Sequence, residues 1–107
     1  MRLSPIPFAQ TLGNLGLALH MAGKDEESID VLSEGTRRYP DALIIRVWST
    51  GSLMAAGRES EARAQAAEVL RINPNFSLER FAKASPFKNM NDFVEREIEP
   101  MRKAGLK

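Results

Sequence analysis

Apolar residues recur along this chain at the three- and four-residue spacing of amphipathic helices, with charged residues between them. The pattern predicts four consecutive helices, near 9–22, 25–38, 41–56 and 59–72. Gly23 and Gly57 follow the first and third helices, where a residue that tolerates positive φ closes the last turn. Pro40 and Pro74 push the residues before them out of helical geometry, which ends the second and fourth helices. We therefore expect two helical hairpins.

The two hairpins are copies of each other. Displacing the sequence by 34 positions superimposes Gly23 on Gly57. Six further identical pairs coincide, namely Leu19 and Leu53, Ala22 and Ala56, Glu27 and Glu61, Glu34 and Glu68, Arg37 and Arg71, and Pro40 and Pro74. A period of about 34 residues in paired helices resembles the tetratricopeptide repeat (TPR). The two copies span residues 9–42 and 43–76.

The first copy matches the template of that repeat more closely than the second. Its large, small and closing positions are filled by Leu12, Leu15, Gly16, Leu19, Ser28, Leu32 and Pro40. Gly16 and Ser28 are small enough to let the paired helices approach closely. The second copy has Arg46, Ser49 and Thr50 where the template has tryptophan and Leu-Gly. The second copy is therefore supported more by its period and its turn than by its core.

Both ends of the chain depart from the repeat. Residues 1–8 are interpreted as the remnant of a preceding repeat or as a leader, because Pro5 lies about one period before the first closing proline. Residues 77–107 are expected to form C-terminal capping helices, the first of which ends before Pro86. Pro100 should kink the last helix or split off its final turn. The predicted fold is all-α, with TPR-like antiparallel helix hairpins stacked as a short right-handed solenoid and closed by these caps.

The C-terminal third carries a second resemblance. Its residues are Asn73 to Phe81, then Pro86-Phe87-Lys88, and finally Leu106 after Arg102-Lys103-Ala104-Gly105. Together with the repeats, they resemble the C-terminal TPR region of bacterial class III adenylate or guanylate cyclases, in which a separate cyclase domain precedes the repeats. The resemblance implies a regulatory or scaffolding module beside a cyclase, and it transfers no catalytic residue to this chain. A free-standing TPR adaptor unrelated to cyclic-nucleotide synthesis is the alternative.

Composition narrows the expected partners. Fifteen basic and fourteen acidic residues alternate along the 107 residues, so the chain has no long-range field to gather nucleic acid or an acidic membrane. It contains no cysteine, and its longest apolar stretch is far shorter than the roughly 18 residues that a membrane helix needs. We expect a cytoplasmic protein that binds a protein or peptide, a second copy of itself, or an adjoining cyclase domain.

No residue pattern indicates catalysis. His20 is the only histidine, and we expect it to be structural or solvent-exposed rather than a metal ligand. The acidic run from Asp25 to Asp30 lacks the glycine and the alternating oxygen ligands of a calcium loop. Arg37 and Arg38 end a helix whose dipole they complement. Without a nucleophile elbow or a phosphate-binding loop, we expect no enzyme activity, no cofactor and no metal site.

By the resemblance, the first helix of each hairpin lines the concave face. This assigns a largely apolar groove to Gln10, Leu17, His20, Met21, Ile44, Val47 and Met54. Binding a protein and packing beneath neighbouring helices are equally compatible with these side chains. The carboxylate clamp for chaperone tails is disfavoured, since Leu17, Val47 and Gly51 stand where it needs Lys, Arg and Asn. Trp48, beside the groove, is expected in the core, and an apolar side of the first helix favours dimerisation.

Overall fold

The chain folds into consecutive helices. The computed structural model describes residues 5–85 and 93–107, with side chains from residue 11 onward in those ranges. In chain order the helices are α1 (Pro5–Met21), α2 (Asp25–Arg38), α3 (Leu43–Ala55), α4 (Glu59–Ile72), α5 (Leu78–Ala84), a π-helical segment (Val94–Ile98) and α6 (Glu99–Lys103). The described residues contain no strand, which confirms the all-α class. None of the described helices combines the length and the apolar character needed to cross a bilayer.

The helix boundaries agree best with the predictions where the stop signals are local. α2 and α4 match the predicted ranges residue for residue, and α3 differs by two residues at its start and one at its end. α1 begins at Pro5, four residues before its predicted start. Proline is well tolerated at the first helical position, because its missing N–H would have no partner there. Residues 1–4 lie outside the described part of the chain.

The turns of the two hairpins have the same geometry. Gly23 has φ of 82° and Gly57 has φ of 78°, the left-handed conformation that the sequence predicts. After each glycine the next N–H returns to a carbonyl five residues earlier, from Lys24 to Leu19 and from Arg58 to Leu53, both at 2.8 Å. This hydrogen bond and the positive φ are those of the Schellman motif. The repeat is thus visible in the backbone as well as in the sequence.

α1 and α2 cross at very close range. A Cβ atom built on Gly16 would lie 2.4 Å from Leu32 Cδ2, so any larger residue here would force the Leu32 side chain or the helices to shift. Ser28 Oγ donates to the carbonyl oxygen of Gly16 at 2.6 Å and lies 2.9 Å from Ser52 Oγ. Because the single Ser28 proton is used on Gly16, Ser52 is the donor in the second bond. The predicted close approach through Gly16 and Ser28 is confirmed.

α3 is the central helix of the fold. It packs against α1, α2, α4 and α6, and almost all of its side chains from Ile45 to Leu53 are buried. A helix surrounded on every side buries residues all round its circumference rather than along one stripe. Its polar members are small and bonded, as in Thr50, whose Oγ1 donates to the Arg46 carbonyl at 2.9 Å. This environment accounts for the serine and threonine residues that depart from the repeat template.

The C-terminal segment, residues 93–107, folds back onto the body. The π-helical segment continues directly into α6, which has Pro100 in its first turn, and the junction residues Ile98 and Glu99 keep helical dihedral angles. Gly105 has φ of 120° and ends α6, as predicted. The N–H of Leu78 at the start of α5 donates to the Lys107 carbonyl at 2.6 Å. Buried apolar side chains anchor the segment, namely Phe93, Ile98, Met101, Ala104 and Leu106.

Candidate functional site

An apolar cleft of about 300 Å³ opens between α1, α3 and α5. α1 and α3 are the first helices of the two hairpins, and α5 is the helix that follows the second hairpin. The lining residues of the cleft are Asn14, Leu17, Ile44, Trp48, Phe81, Ala84 and Ser85. We call this the α1–α3–α5 cleft. Ile44 remains 45% exposed, so a large aliphatic side chain faces solvent at this opening.

Two aromatic rings form one wall of the α1–α3–α5 cleft. Trp48 is 5% exposed, and its ring meets the Phe81 ring edge-on, with centroids 5.4 Å apart and planes at 63°. This arrangement is favourable for aromatic pairs. Phe76 lies behind Phe81, with ring centroids 6.1 Å apart. The prediction that Trp48 is a core residue is confirmed, and its edge also borders the cleft.

The predicted groove residues do not share one open surface. Leu17 and Ile44 line the α1–α3–α5 cleft, whereas Val47 is fully buried and His20 is 6% exposed. Met21 and Met54 are half-buried, and the side chain of Gln10 falls outside the described part of the structure. The helix α5 supplies lining that the prediction lacked. The 34-residue displacement could have identified two of the lining residues. It aligns Phe81 with Val47, a predicted groove residue, and Asn14 with Trp48, which was expected beside the groove.

His20 lies between two carboxylates at the end of α1. Its Nδ1 donates to Asp25 Oδ1 at 2.6 Å, and its Nε2 donates to Glu97 Oε1. Asp25 begins α2 and retains 23% exposure, whereas Glu97 belongs to the π-helical segment and is 3% exposed. Both ring nitrogens are therefore occupied, which leaves no lone pair for a metal or for proton abstraction. We call this arrangement the Asp25–His20–Glu97 cluster.

The cluster favours the protonated imidazole. Burial by itself lowers the pKa of His20, but the hydrogen bonds and charges of Glu97 and Asp25 outweigh it and raise the pKa above its ordinary 6.5. A doubly protonated ring can donate to both carboxylates at once, which a neutral ring cannot do. The cluster thus joins α1, α2 and the C-terminal segment through the two hydrogen bonds of the His20 ring.

We expect the free energy of unfolding to fall as the pH rises above neutrality. A raised pKa in the folded state means that the stabilising proton is fully bound below about 6.5 and is lost as the pH passes through the folded value. Urea unfolding followed by circular dichroism between pH 6 and pH 9 measures this loss. Because His20 is the only histidine, its ring signal in NMR reports the folded pKa directly. A midpoint at or below the ordinary value would contradict the structure.

The other candidates from the sequence form surface ion pairs. Arg37 Nη2 donates to Glu34 Oε2 at 2.5 Å, and Arg38 Nε donates to the same oxygen. The hydrogen bonds from Arg37 and Arg38 hold the pKa of Glu34 at about 2. These arginines thus complete the end of α2, in line with their predicted place at a helix terminus. In residues 11–85 and 93–107 no cluster of His, Cys, Asp or Glu is arranged to hold a metal ion.

Comparison with known proteins identifies no relative. No protein-family model matches the chain, and no curated protein matches it either.

Proposed function

We propose that this chain is a non-catalytic protein-interaction module of the TPR type, and that the α1–α3–α5 cleft is where a partner docks. The observation that carries the proposal is the cleft itself, an apolar opening of about 300 Å³ lined by the first helix of each hairpin and by α5, which follows the second hairpin. The identical Schellman turns at Gly23 and Gly57 support the repeat character. A short right-handed solenoid closed by the C-terminal segment is the arrangement that this proposal implies.

The chemistry of the cleft suits an apolar anchor from a peptide or helix. Ile44 and Leu17 offer aliphatic surface, and the aromatic wall of Trp48 and Phe81 offers a flat face. Asn14, which is exposed, places an amide at the rim, where it can bond to a partner backbone. A few apolar side chains inserted into such a pocket, with polar groups at its margin, account for most of the affinity in many interfaces.

The resemblance to the cyclase-associated TPR region adds a narrower proposal, in which the module regulates or scaffolds an attached class III cyclase in the cytoplasm. A free-standing adaptor remains the alternative. The open reading frame that encodes this chain separates the two, since a cyclase domain upstream of residue 1 is required by the first and absent in the second. The cleft proposal holds in either case.

We expect Ile44→Glu to weaken binding of cleft ligands at least about tenfold, because it places a charge in an apolar pocket. Ligands are obtained by displaying a random peptide library and selecting binders to the full chain. Affinities are then measured through the fluorescence of Trp48, the only tryptophan, which borders the cleft. Leu15→Glu is the matched control, since Leu15 is 47% exposed on α1 and is not among the cleft residues. Peptides that bind both variants equally well would remove the cleft from the proposal.

Self-association through α1 is a second candidate, favoured by the exposure of Leu15. A large aliphatic side chain that is 47% exposed next to a core helix can be covered by a second copy. We expect the wild-type chain to dimerise at high concentration and Leu15→Glu to remain monomeric, with Ile44→Glu now as the control. Sedimentation equilibrium measures both. A wild-type chain that stays monomeric at millimolar concentration would contradict this candidate.

A further inference from the structure

The C-terminal segment lies on the same three helices that line the α1–α3–α5 cleft. Glu97 bonds to His20 at the end of α1, and the π-helical segment packs against α5. On α3, a Cβ atom built on Gly51 would lie 3.0 Å from Met101 Cε, so the methionine rests directly on the glycine. Gly51 is about one helical turn beyond Trp48, which borders the cleft. Residues 93–107 therefore cover one part of the inner face of these helices, and the α1–α3–α5 cleft is the part that stays open.

The segment has the chemistry of a docked amphipathic ligand. Its buried anchors Phe93, Glu97 and Met101 recur every four residues, while its outer face carries charged side chains. An amphipathic helix that binds in an apolar groove has the same pattern, with buried anchors at intervals of about one helical turn. One of these anchors, Glu97, is a carboxylate, and it is paired with His20 of α1. The π-helical turn lies at this carboxylate, and such turns are frequent at functional sites.

A buried charge pair is an unusual choice for a segment that only covers apolar surface. Well-packed apolar side chains of similar volume stabilise a fold at least as well as a buried pair does, whereas a pair makes the contact conditional on both charges. The contact between residues 93–107 and the end of α1 is thus conditional on His20 holding its proton and on Glu97 remaining its partner. A competing carboxylate can take the same place.

Building on the proposed function, we propose that residues 93–107 are an intramolecular ligand of the inner face, and that a partner helix displaces them. The partner is an amphipathic helix with an inward-facing carboxylate between apolar anchors, which pairs with His20 in the place of Glu97. The site for it comprises His20, Gly51 and the adjoining cleft. The partner helix binds only where residues 93–107 have been released, so the two compete for the same site.

The ionisable groups around His20 define how this exchange responds to pH. Asp25 from α2 and Glu97 from the C-terminal segment bond to the ring. α3 also packs against α1, but its only charged residue, Arg46, donates to the Pro40 carbonyl and to Gln65 instead. Since both neighbours of the ring are acidic, loss of the His20 proton removes the cation that holds Glu97. The segment is therefore released more readily as the pH rises.

The first experiment uses a fluorescent synthetic peptide of residues 93–107 and the full-length chain. We expect a Glu97→Gln chain, whose own segment is weakly held, to bind the peptide at least about tenfold more tightly than the wild-type chain does. A peptide with glutamine in place of Glu97 should lose most of that affinity. Glu95→Gln is the matched control, because Glu95 is an exposed carboxylate of the same segment. Equal binding by the Glu97→Gln and wild-type chains would overturn the proposal.

The second experiment detects release directly and does not depend on any ligand. The chain has no cysteine, so Met101→Cys and Leu53→Cys each introduce a single buried thiol, the first on the inner side of the segment and the second in the body. We expect Glu97→Gln to increase the labelling rate of the thiol in the Met101→Cys chain at least about tenfold more than that of the thiol in the Leu53→Cys chain. Raising the pH of the otherwise wild-type chain should act in the same direction after correction for thiolate content. Labelling of both thiols in parallel would show that the segment leaves only on global unfolding, and the proposal would fall.

The two experiments also separate this proposal from the proposed function. If thiol labelling shows local release but selected peptides ignore Ile44, the exchange stands and the open part of the cleft is not the docking site. If selected peptides require Ile44 but the thiols label in parallel, the cleft binds partners and residues 93–107 are a fixed cap.

Discussion

Replacing His20 with leucine is expected to lower the free energy of unfolding by about 3 kcal/mol at neutral pH, the low end of the cost of breaking a buried charge pair. The substitution leaves Glu97, which is 3% exposed, without its cationic partner. Asp25 loses the same partner but remains 23% exposed, so water can solvate it. Urea denaturation followed by circular dichroism measures the change.

A His20→Leu, Glu97→Leu double variant is the control for this result. It removes both charges and fills their space with apolar volume, so we expect it to recover most of the stability lost by the single variant. The pH dependence of stability above neutrality should also disappear in both variants. A single variant as stable as the wild type, or a double variant no better than the single, would show that the Asp25–His20–Glu97 cluster is not a coupled unit.

Alanine at Gly16 is expected to lower the free energy of unfolding by about 2 kcal/mol, as overpacking of a close contact typically does. The new Cβ would lie 2.4 Å from Cδ2 and 2.5 Å from Cγ of Leu32, which has no exposed surface into which to move. The paired helices would have to separate, which would also stretch the bond from Ser28 to the Gly16 carbonyl. Thermal and urea unfolding measure the loss.

Gly13 supplies the matched control on the same helix. A Cβ built on Gly13 would meet Ile45 Cγ1 at 3.6 Å, an ordinary van der Waals distance. Since alanine is a better helix former than glycine, we expect Gly13→Ala to stabilise the chain by about 0.5 kcal/mol. Opposite signs at two glycines three positions apart would locate the close crossing. If both variants shift stability in the same direction, α1 and α2 do not meet as closely as the structure places them.

Helix ends with a stop residue close in sequence could be predicted well. Gly23 and Gly57 are required by their positive φ, and they place the turns of both hairpins correctly. Pro100 does not break the helical run of residues 93–103, and it lies in the first turn of α6, where a missing N–H is tolerated. The start of α1 was misplaced because proline permits a helix to begin at Pro5 as readily as it ends one.

The candidate site could be predicted only in part. The resemblance assigns Leu17 and Ile44 to the inner face of the first helix of each hairpin, and both line the cleft. Phe81 was missed because the prediction stopped at the second hairpin, although the period carries on into α5. Val47 was placed in the groove by the same resemblance, but α3 is surrounded by other helices and the side chain has no exposed surface.

The sequence by itself determines the helices, their turns and the 34-residue period, since each of these follows from backbone preferences acting over a few residues. The pairing of His20 with Glu97 was decided by the tertiary structure alone. The two residues are 77 positions apart, and a lone histidine and one glutamate among fourteen acidic residues have no spacing that marks them as partners. Only the folding back of the C-terminal segment brings them together and removes them from water, and that burial is what makes their charges matter.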